Sequence, residues 1–425
     1  MELILSCLLG VIVGVLTGLL PALPVFTGPM LLLYFANGQF ELLYMLIFWV
    51  TAYMGSQYFG SIAVITTKIP GEESSAIYLK DIDRLTYSEK LYCLYDTARG
   101  SAIASFVALA FLWIAVTFIN PDLFPVLLSF PVQLVVFLSA LVLLLLQQEQ
   151  KLTTLLLIVI GLTIGPKQNY ALPEYWYTIT DWFSGYTIYM VILGTIIIPT
   201  LFDSREFDPN ARVAWHAGPD FRPHWSTMTY VKGTIVGLLA GLIPGPSASV
   251  ATAYAYRLEK TPYHKIVCCE TANNAAVITC LIPFFLLALP INQNTLIMSN
   301  LFDMLSIDIF TEIVYNINVV IGIAMVMTVC YFFLASRLIE LYVWIVDKLH
   351  NNVRWIVLAL LLALIAMDLQ YSEISWDRYA LLLTGFLGLG FLLKHYNVSA
   401  IPFLFSIILA DKIVWLLIQG SKIYL

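Results

Sequence analysis

The sequence predicts an all-α polytopic membrane protein made of two inverted repeats of about seven membrane segments each, with interrupted or re-entrant helices. Three observations predict it: a composition that only lipid can solvate, a glycine–proline phrase found once in each half, and a charge pattern that inverts between the halves. Of 425 residues, 60% are hydrophobic and 11% charged, against about 45–50% and about 25% in soluble globular chains. No soluble core of this length hides that excess, so a soluble enzyme and a disordered scaffold are excluded. The net charge of -6 leaves no basic surplus to neutralise phosphates, which excludes nucleic-acid partners. The six cysteines form no C-x-x-C pair, so they read as apolar filler rather than disulfides or metal ligands. No Lys or Arg precedes Lys68; the first apolar stretch lacks the positive region of a cleaved signal peptide and is expected to remain as a span.

Apolar runs mark approximate segments at 3–20, 24–35, 41–68, 100–119, 125–147, 152–165 and 187–202, then at 230–243, 246–256, 267–289, 312–335, 354–367, 378–393 and 398–421. A helix crosses a bilayer with about 20 apolar residues, so 24–35 and 246–256 are too short to cross alone. The polar stretch 203–229 divides the chain into a first repeat, 1–202, and a second, 230–425. Lys and Arg collect on the cytoplasmic side of short loops. One alternating assignment places all of them inside except Lys167, Arg378, Lys412 and Lys422. Both termini are then outside, and 203–229 is a cytoplasmic linker. Within the inside regions, 80–99 reads as a mixed-charge, solvated amphipathic connector.

Gly10-Val-Ile-Val-Gly14-Val-Leu-Thr-Gly18-Leu-Leu-Pro21 matches Gly233-Thr-Ile-Val-Gly237-Leu-Leu-Ala-Gly241-Leu-Ile-Pro244 at an offset of 223, with eight of twelve positions identical. A second echo, at an offset of 213, pairs Ala63-Val-Ile-Thr and Ile69-Pro70 with Ala276-Val-Ile-Thr and Ile282-Pro283. An odd number of spans per half turns the second copy upside down, and the loops agree. Residues 36–40 hold no Lys or Arg, whereas the counterpart holds Arg257, Lys260 and Lys265; 79–99 is basic, whereas 291–311 has neither. Inverted repeats with interrupted helices are the architecture of secondary transporters.

The glycine ladders read as close helix packing. The breakers Pro21-Ala-Leu-Pro24, Gly28-Pro29, Pro70-Gly71 and Pro244-Gly245-Pro246 interrupt helices within or near the membrane. Freed backbone groups are tolerated there only when buried in protein or lining a watery cavity. A half-helix start carries roughly +0.5 charge and bare N–H groups, which suits a carboxylate. Polar residues sit beside these breaks: Lys68, Glu72, Glu73, Ser74 and Ser75 at the first, Ser247, Ser249 and Thr252 after the second, and Glu270, Asn273 and Asn274 on the next helix. Side-chain amides can bind an anion or offer oxygens to a sodium ion. No Walker loop, nucleophile elbow or H-E-x-x-H occurs, so no catalytic residue, metal or organic cofactor is expected.

At these residues the chain resembles the large membrane subunit of the tripartite tricarboxylate transporters, the TctA-type permeases. Gly60-Ser-Ile-Ala-Val-Ile-Thr-Thr-Lys-Ile-Pro-Gly-Glu72 resembles the family's G-S-I…N-I-P-G block, and Asp96-Thr-Ala-Arg-Gly-Ser-Ala-Ile-Ala-Ser-Phe106 the segment after its first cytoplasmic loop. Gly241-Leu-Ile-Pro-Gly245 and Glu270-Thr-Ala-Asn-Asn-Ala-Ala276 resemble its second-half blocks, and Gly390–Pro402 its C-terminal part. Ala22 stands where the family's first P-G motif has glycine, Lys68 where it has asparagine, and Leu289-Pro290-Ile291-Asn292 where a second I-P-G is expected. The resemblance implies import of a small di- or tricarboxylate across the bacterial inner membrane by cation symport, with sodium ions or protons as coupling ions. It also implies a small membrane subunit and a periplasmic solute-binding protein as partners, beside membrane lipid.

On this basis the expected substrate site comprises Gly60, Ser61, Lys68, Pro70, Gly71, Glu72, Ser74, Ser75, Pro244, Gly245, Ser247, Ser249, Asn273 and Asn274, with Glu270 and Asn273 coupling the cation. A dianion entering against 100 mV costs about 4.6 kcal/mol, at about 2.3 kcal/mol per charge, which two co-imported cations cancel. The other readings are a membrane channel or scaffold, which does not need matched interruptions, and a membrane-embedded enzyme, which needs an intramembrane acid/base or metal cluster.

Overall fold

The computed structural model describes residues 2–20, 41–68, 73–118, 129–165, 186–202, 227–243, 247–287, 309–349, 374–400 and 402–407, with scattered positions at 294–295, 298–299, 355–370 and 410–416. Pro21–Pro29, Pro70, Gly71, Glu72, Pro244, Gly245 and all but 227–229 of the 203–229 stretch lie outside the described residues. The protein is an all-α membrane protein, and no strand occurs among the described residues. Five helices among them are long and apolar enough to cross a bilayer: Glu2–Leu19, Ser88–Phe118, Pro262–Leu286, Asn316–Ile345 and Trp376–His395.

The chain divides into two compact units, each drawing on both halves of the sequence: 1–119 with 204–358, and 120–203 with 359–425. The first contains α1 (Glu2–Leu19), α2 (Leu42–Thr67), the one-turn helices α3 (Glu73–Ala76) and α4 (Leu79–Ile82), and α5 (Tyr87–Phe118). The second half of the chain adds α9 (Thr227–Ala240), α10 (Ser247–Leu258), α11 (Pro262–Thr279), α12 (Leu281–Leu287) and α13 (Ile309–Leu349).

α1 is amphipathic in the membrane sense. Ser6, Gly10, Gly14, Thr17 and Gly18 face inward, while Ile4, Leu5, Leu8, Ile12 and Leu16 are exposed as a lipid-facing stripe. Its small residues let it lie directly on α2. A Cβ on Gly10 would stand 2.8 Å from the Phe48 carbonyl oxygen, on Gly14 2.7 Å from that of Ala52, and on Gly18 2.7 Å from that of Ser56. The α9 ladder lies on α11 in the same way: Gly233 faces the Cys268 carbonyl at 2.7 Å, Gly237 faces that of Ala272, and Gly241 that of Ala276 at 2.6 Å. The ladder glycines differ by 223, and the carbonyls they meet differ by 220 throughout (268 − 48, 272 − 52, 276 − 56). The same 220 separates the N-caps, Glu41 of α2 and Thr261 of α11. It pairs Pro70 with Pro290, so the contact register departs from the 213 echo of the sequence by seven residues, two helical turns.

α2 and α11 are the centre of this unit. α2 is buried almost continuously from Met45 to Thr66 and α11 from Ile266 to Thr279, which marks helices packed on every side rather than facing lipid. They pass in opposite directions: the Asn273 amide donates to Gln57 at 3.1 Å, while Tyr53, a turn earlier on α2, donates to the carbonyl of Val277, a turn later on α11, at 3.4 Å. α5 packs chiefly on α11, and α13 packs on both α2 and α5. Tyr58 of α2 donates to the Ala98 carbonyl of α5 at 2.6 Å, and Tyr331 of α13 to that of Thr51 at 2.7 Å.

Two segments outrun their apolar stretches. α5 begins at Tyr87 rather than near 100, opened by a capping box in which the Thr86 amide donates to Glu89 at 2.7 Å and the Glu89 amide to the Thr86 hydroxyl at 3.3 Å. α13 runs 41 residues, about 60 Å at 1.5 Å per residue, twice the hydrocarbon thickness. The 80–99 connector is not simply solvated: Asp81, Lys90 and Asp96 are buried. Asp96 accepts from Tyr263 of α11 at 2.5 Å and pairs with Arg99, one turn on along its own helix, at 3.3 Å, so protein partners meet its charge.

The second unit holds α6 (Phe130–Gln147), α7 (Lys151–Ile164), α8 (188–202) and α14 (Trp376–His395), with 402–407 helical as well. α8 carries a π turn at Leu193–Ile197, where Gly194 meets Phe386 of α14. Gly161 of α7 faces the Phe403 carbonyl at 2.7 Å. The buried carboxylate of Asp368 accepts from Thr187 and Tyr379, each at 2.8 Å, tying α8 to α14.

Candidate functional site

α11 starts sharply because Thr261 caps it, accepting from the His264 amide at 3.3 Å, and because Pro262 supplies a preset first helical position. Eight, eleven and twelve residues on come Glu270, Asn273 and Asn274, all buried. The two asparagines have different surroundings. Asn274 donates to Ser101 of α5 at 2.9 Å and to the carbonyl of Glu270 at 3.0 Å, so both its amide hydrogens are engaged and it clamps α5 to α11. Asn273 donates to Gln57, but its Oδ1 is buried with no hydrogen-bond partner among the described residues, in a residue only 4% exposed. A buried polar atom without a partner costs about 1–3 kcal/mol, so this oxygen is held in place by the helices at the expense of stability.

Gln57, also 4% exposed, is the partner that sequence reasoning missed. It is the one side-chain amide of 41–68, and that isolation in an apolar segment was the available signal. Gly60 lies three residues on, on the same face of α2. A Cβ there would meet no heavy atom of the described residues within 4 Å, unlike the ladder glycines. By the antiparallel pairing of Gln57 with Asn273, Gly60 stands level with Glu270. Ser61 is buried and donates to the Tyr58 carbonyl at 3.2 Å.

Glu270 accepts a short hydrogen bond from Tyr78, which lies between α3 and α4 and is itself fully buried. Burial, reinforced by Glu270, holds the Tyr78 phenol well above its ordinary pKa, so it stays protonated and donates. Ser74 and Ser75 of α3 are buried where that short helix packs on α10 and α11. Ser247, the first residue of α10, is buried; Ser249 is half-buried, and its carbonyl accepts from Thr252 at 3.0 Å. The residues following the two breaks are thus brought together through α3, α10 and α11. Lys68 is engaged elsewhere. It caps α2 in the left-handed conformation, φ 59°, where glycine or asparagine fits most easily, and its ammonium pairs with Asp83.

A polytopic helical membrane protein with polar side chains drawn from two fully enclosed helices is the class these features define. Residues 4–405 match the Tripartite tricarboxylate transporter TctA family, and the chain belongs to that family, a family of multi-pass inner-membrane transporter components and not of enzymes. The chain is also 27% identical over 313 residues to an uncharacterized 52.8 kDa protein in the TAR-I ttuC' 3' region of Agrobacterium vitis, a match covering 68% of this chain and 61% of that relative. No solved structure matches it.

Proposed function

We propose that this chain is the membrane permease of a tripartite uptake system, importing a small di- or tricarboxylate by symport with sodium ions or protons. On this reading a periplasmic solute-binding protein and a small membrane subunit are its partners. The observation that carries it is the buried Asn273 oxygen, which has no hydrogen-bond partner among the described residues while the same side chain's amide donates to Gln57 at the crossing of the two enclosed helices. Asn273 lies eleven residues from the start of α11, about 16 Å along the axis and so near the middle of a hydrocarbon core about 30 Å thick. Its free atom is an acceptor, which suits a cation or a donor group and repels a bare carboxylate. The coupling cation therefore sits at Asn273 Oδ1, with Glu270 as the nearby carboxylate. The substrate carboxylate lies toward Ser247 at the start of α10, where helix-start amides favour an anion, on the side where the short helix carrying Ser74 and Ser75 packs. Pro70, Gly71, Glu72, Pro244 and Gly245 complete the site at the two breaks, and Gly60 leaves room beside it.

The architecture in this proposal is two inverted repeats, 1–202 and 230–425, joined by a cytoplasmic linker at 203–229, with re-entrant segments at the breaks. Two features support it. The constant 220-residue register equates α2 with α11. Under that register the Gln57–Asn273 contact exchanges with the Val277–Tyr53 contact, as a two-fold axis passing between Gly55 and Ala275 requires.

The experiment is counterflow in proteoliposomes with labelled citrate and succinate, under sodium and under proton gradients. A carrier exchanges labelled for unlabelled substrate, and Asn273→Ala abolishes exchange while the melting temperature holds. Unchanged exchange in that variant removes Asn273 from the site; a channel or scaffold shows no counterflow.

A further inference from the structure

We propose that Asn294, in the segment that follows α12, seats a second cation, a sodium ion, in addition to the one at Asn273. The 220-residue register of the two central helices points to it. That register sets 294–299 against 74–79, and the structure follows it: 294–295 and 298–299 are helical, where α3 and the start of α4 fall. Asn294, Thr295 and Met298 are buried, as are Ser74, Ser75 and Tyr78. The chemistry of the two segments differs. Met298 stands in the place of Tyr78 and Val50 in that of Glu270, so the bond from Tyr78 to Glu270 has two apolar residues at the corresponding places. Asn294 stands in the place of Ser74. It is 5% exposed, and its Oδ1 is buried with no hydrogen-bond partner among the described residues.

A buried acceptor without a donor costs stability, and among the described residues Asn273 and Asn294 are the side-chain amides that carry one. The Asp81 carboxylate also has a partnerless oxygen, but its other oxygen has the Arg84 guanidinium at 3.5 Å. An amide oxygen accepts but is too weak a base to hold a proton, so the charge it attracts is a metal cation. Carriers with broken helices seat sodium on neutral oxygens of this kind. Two monovalent cations balance an imported dianion, and two such oxygens are present. The inverted arrangement puts Asn294 on the outer side of the two-fold axis, as it puts Ser74 on the cytoplasmic side, so the ion reaches it from the periplasm. With Val50 where the other end has Glu270, this seat is the weaker of the two. Its part in coupling rests on the carrier reading; ion binding at Asn294 does not require transport.

The test counts bound ions by equilibrium dialysis of radioactive sodium against the purified chain in detergent, with choline chloride holding ionic strength constant. The wild type binds two sodium ions per chain, in a tighter and a weaker phase. Asn294→Ala loses the weaker phase and keeps the tighter one, whereas Asn273→Ala loses the tighter one. Asn294→Asp keeps both and lowers the sodium midpoint of the weaker phase at least about tenfold, because a carboxylate oxygen adds charge to the seat. A weaker phase that survives Asn294→Ala, a folded Asn294→Ala that loses both phases, or a wild type that binds one ion or none overturns the seat. A merely structural role for Asn294 lowers the melting temperature of the alanine variant without altering the sodium count, and that result is equally contrary. If Asn294→Ala does not fold, Asn294→Asp decides: an unchanged midpoint rejects the seat. Failure of the carrier reading shows separately, as absent counterflow in a wild type that still binds two sodium ions.

Discussion

Tyr53 on α2 and Asn273 on α11 occupy corresponding places, 220 residues apart, and so do Gln57 and Val277. The scaffolds around them agree: each central helix carries a glycine ladder on one side at the same register. What the crossing presents differs between its two ends. At one end Gln57 meets Asn273, with Gly60 open beside them and Glu270 level with it. At the other end Tyr53 stacks on Trp49 with ring centroids 6.0 Å apart, and Trp49 packs edge-on against Phe284 at 5.8 Å and Phe285 at 6.4 Å, all of them buried. Backbone register is shared while side-chain chemistry is divided, one end polar and one sealed by aromatic rings. A carrier of two related halves needs its scaffold matched for alternating access, but it does not need two copies of its polar centre.

The comparison can be broken most forcefully at the ladders. Gly14→Val and Gly237→Val should each cost about 3 kcal/mol or more, at the upper end of overpacking penalties, because the added carbons meet backbone with no flexible neighbour to yield. Matched losses of melting temperature in the two variants are expected; a large loss in one alone would deny that the helix pairs are equivalent. Gly60→Val lies outside the ladders, with space before it. It should leave the melting temperature within about 2 °C, the shift of a small surface-like change, while lowering carboxylate exchange at least about tenfold by occupying the gap.

Next comes the contrast between neighbouring asparagines. Asn274→Ala removes a clamp to Ser101 and the Glu270 carbonyl and should destabilise by about 1–2 kcal/mol with the substrate KM unchanged. Asn273→Ala should change stability by less than that, because half of its amide is already unpaired. A reversed order, read by melting temperature and KM together, would exchange their structural and functional roles. The smallest effect belongs to Tyr53→Phe, which loses a long 3.4 Å bond to Val277 and keeps the ring stack. About 0.5 kcal/mol is expected from unfolding measurements, and a loss several times larger would show that the sealed end depends on the hydroxyl.

Much of this was legible in the sequence because small residues and helix breakers act locally. The ladders Gly10/Gly14/Gly18 and Gly233/Gly237/Gly241 announced close helix contacts, and the Asn273-Asn274 pair announced a buried polar centre. Register was harder to read. The 213 echo between Ala63 and Ala276 is seven residues from the contact register, and two apolar helices slid by two turns present nearly the same face. Only the carbonyls beneath the glycines separate the two alignments. Gln57 escaped notice because a lone amide among aromatic residues acquires meaning only when a partner arrives from α11. The buried charges Asp81, Lys90 and Asp96 escaped for the same reason: their sequence looks solvated, and it is Tyr263 from another segment that encloses Asp96. The reach of α5 and α13 beyond their apolar runs was likewise hidden, since helix continuation past the bilayer depends on capping and packing rather than on hydropathy.

The central claim is that α2 and α11 are equivalent helices entering the bilayer from opposite sides. Its most direct measurement is labelling of single cysteines placed just before each, Glu41→Cys and Lys260→Cys, with a membrane-impermeant maleimide on intact cells and on inside-out vesicles. Labelling of position 41 only from the outer face and of position 260 only from the cytoplasmic face is the predicted result. Labelling of both positions from one face would contradict the inverted arrangement and the carrier mechanism drawn from it.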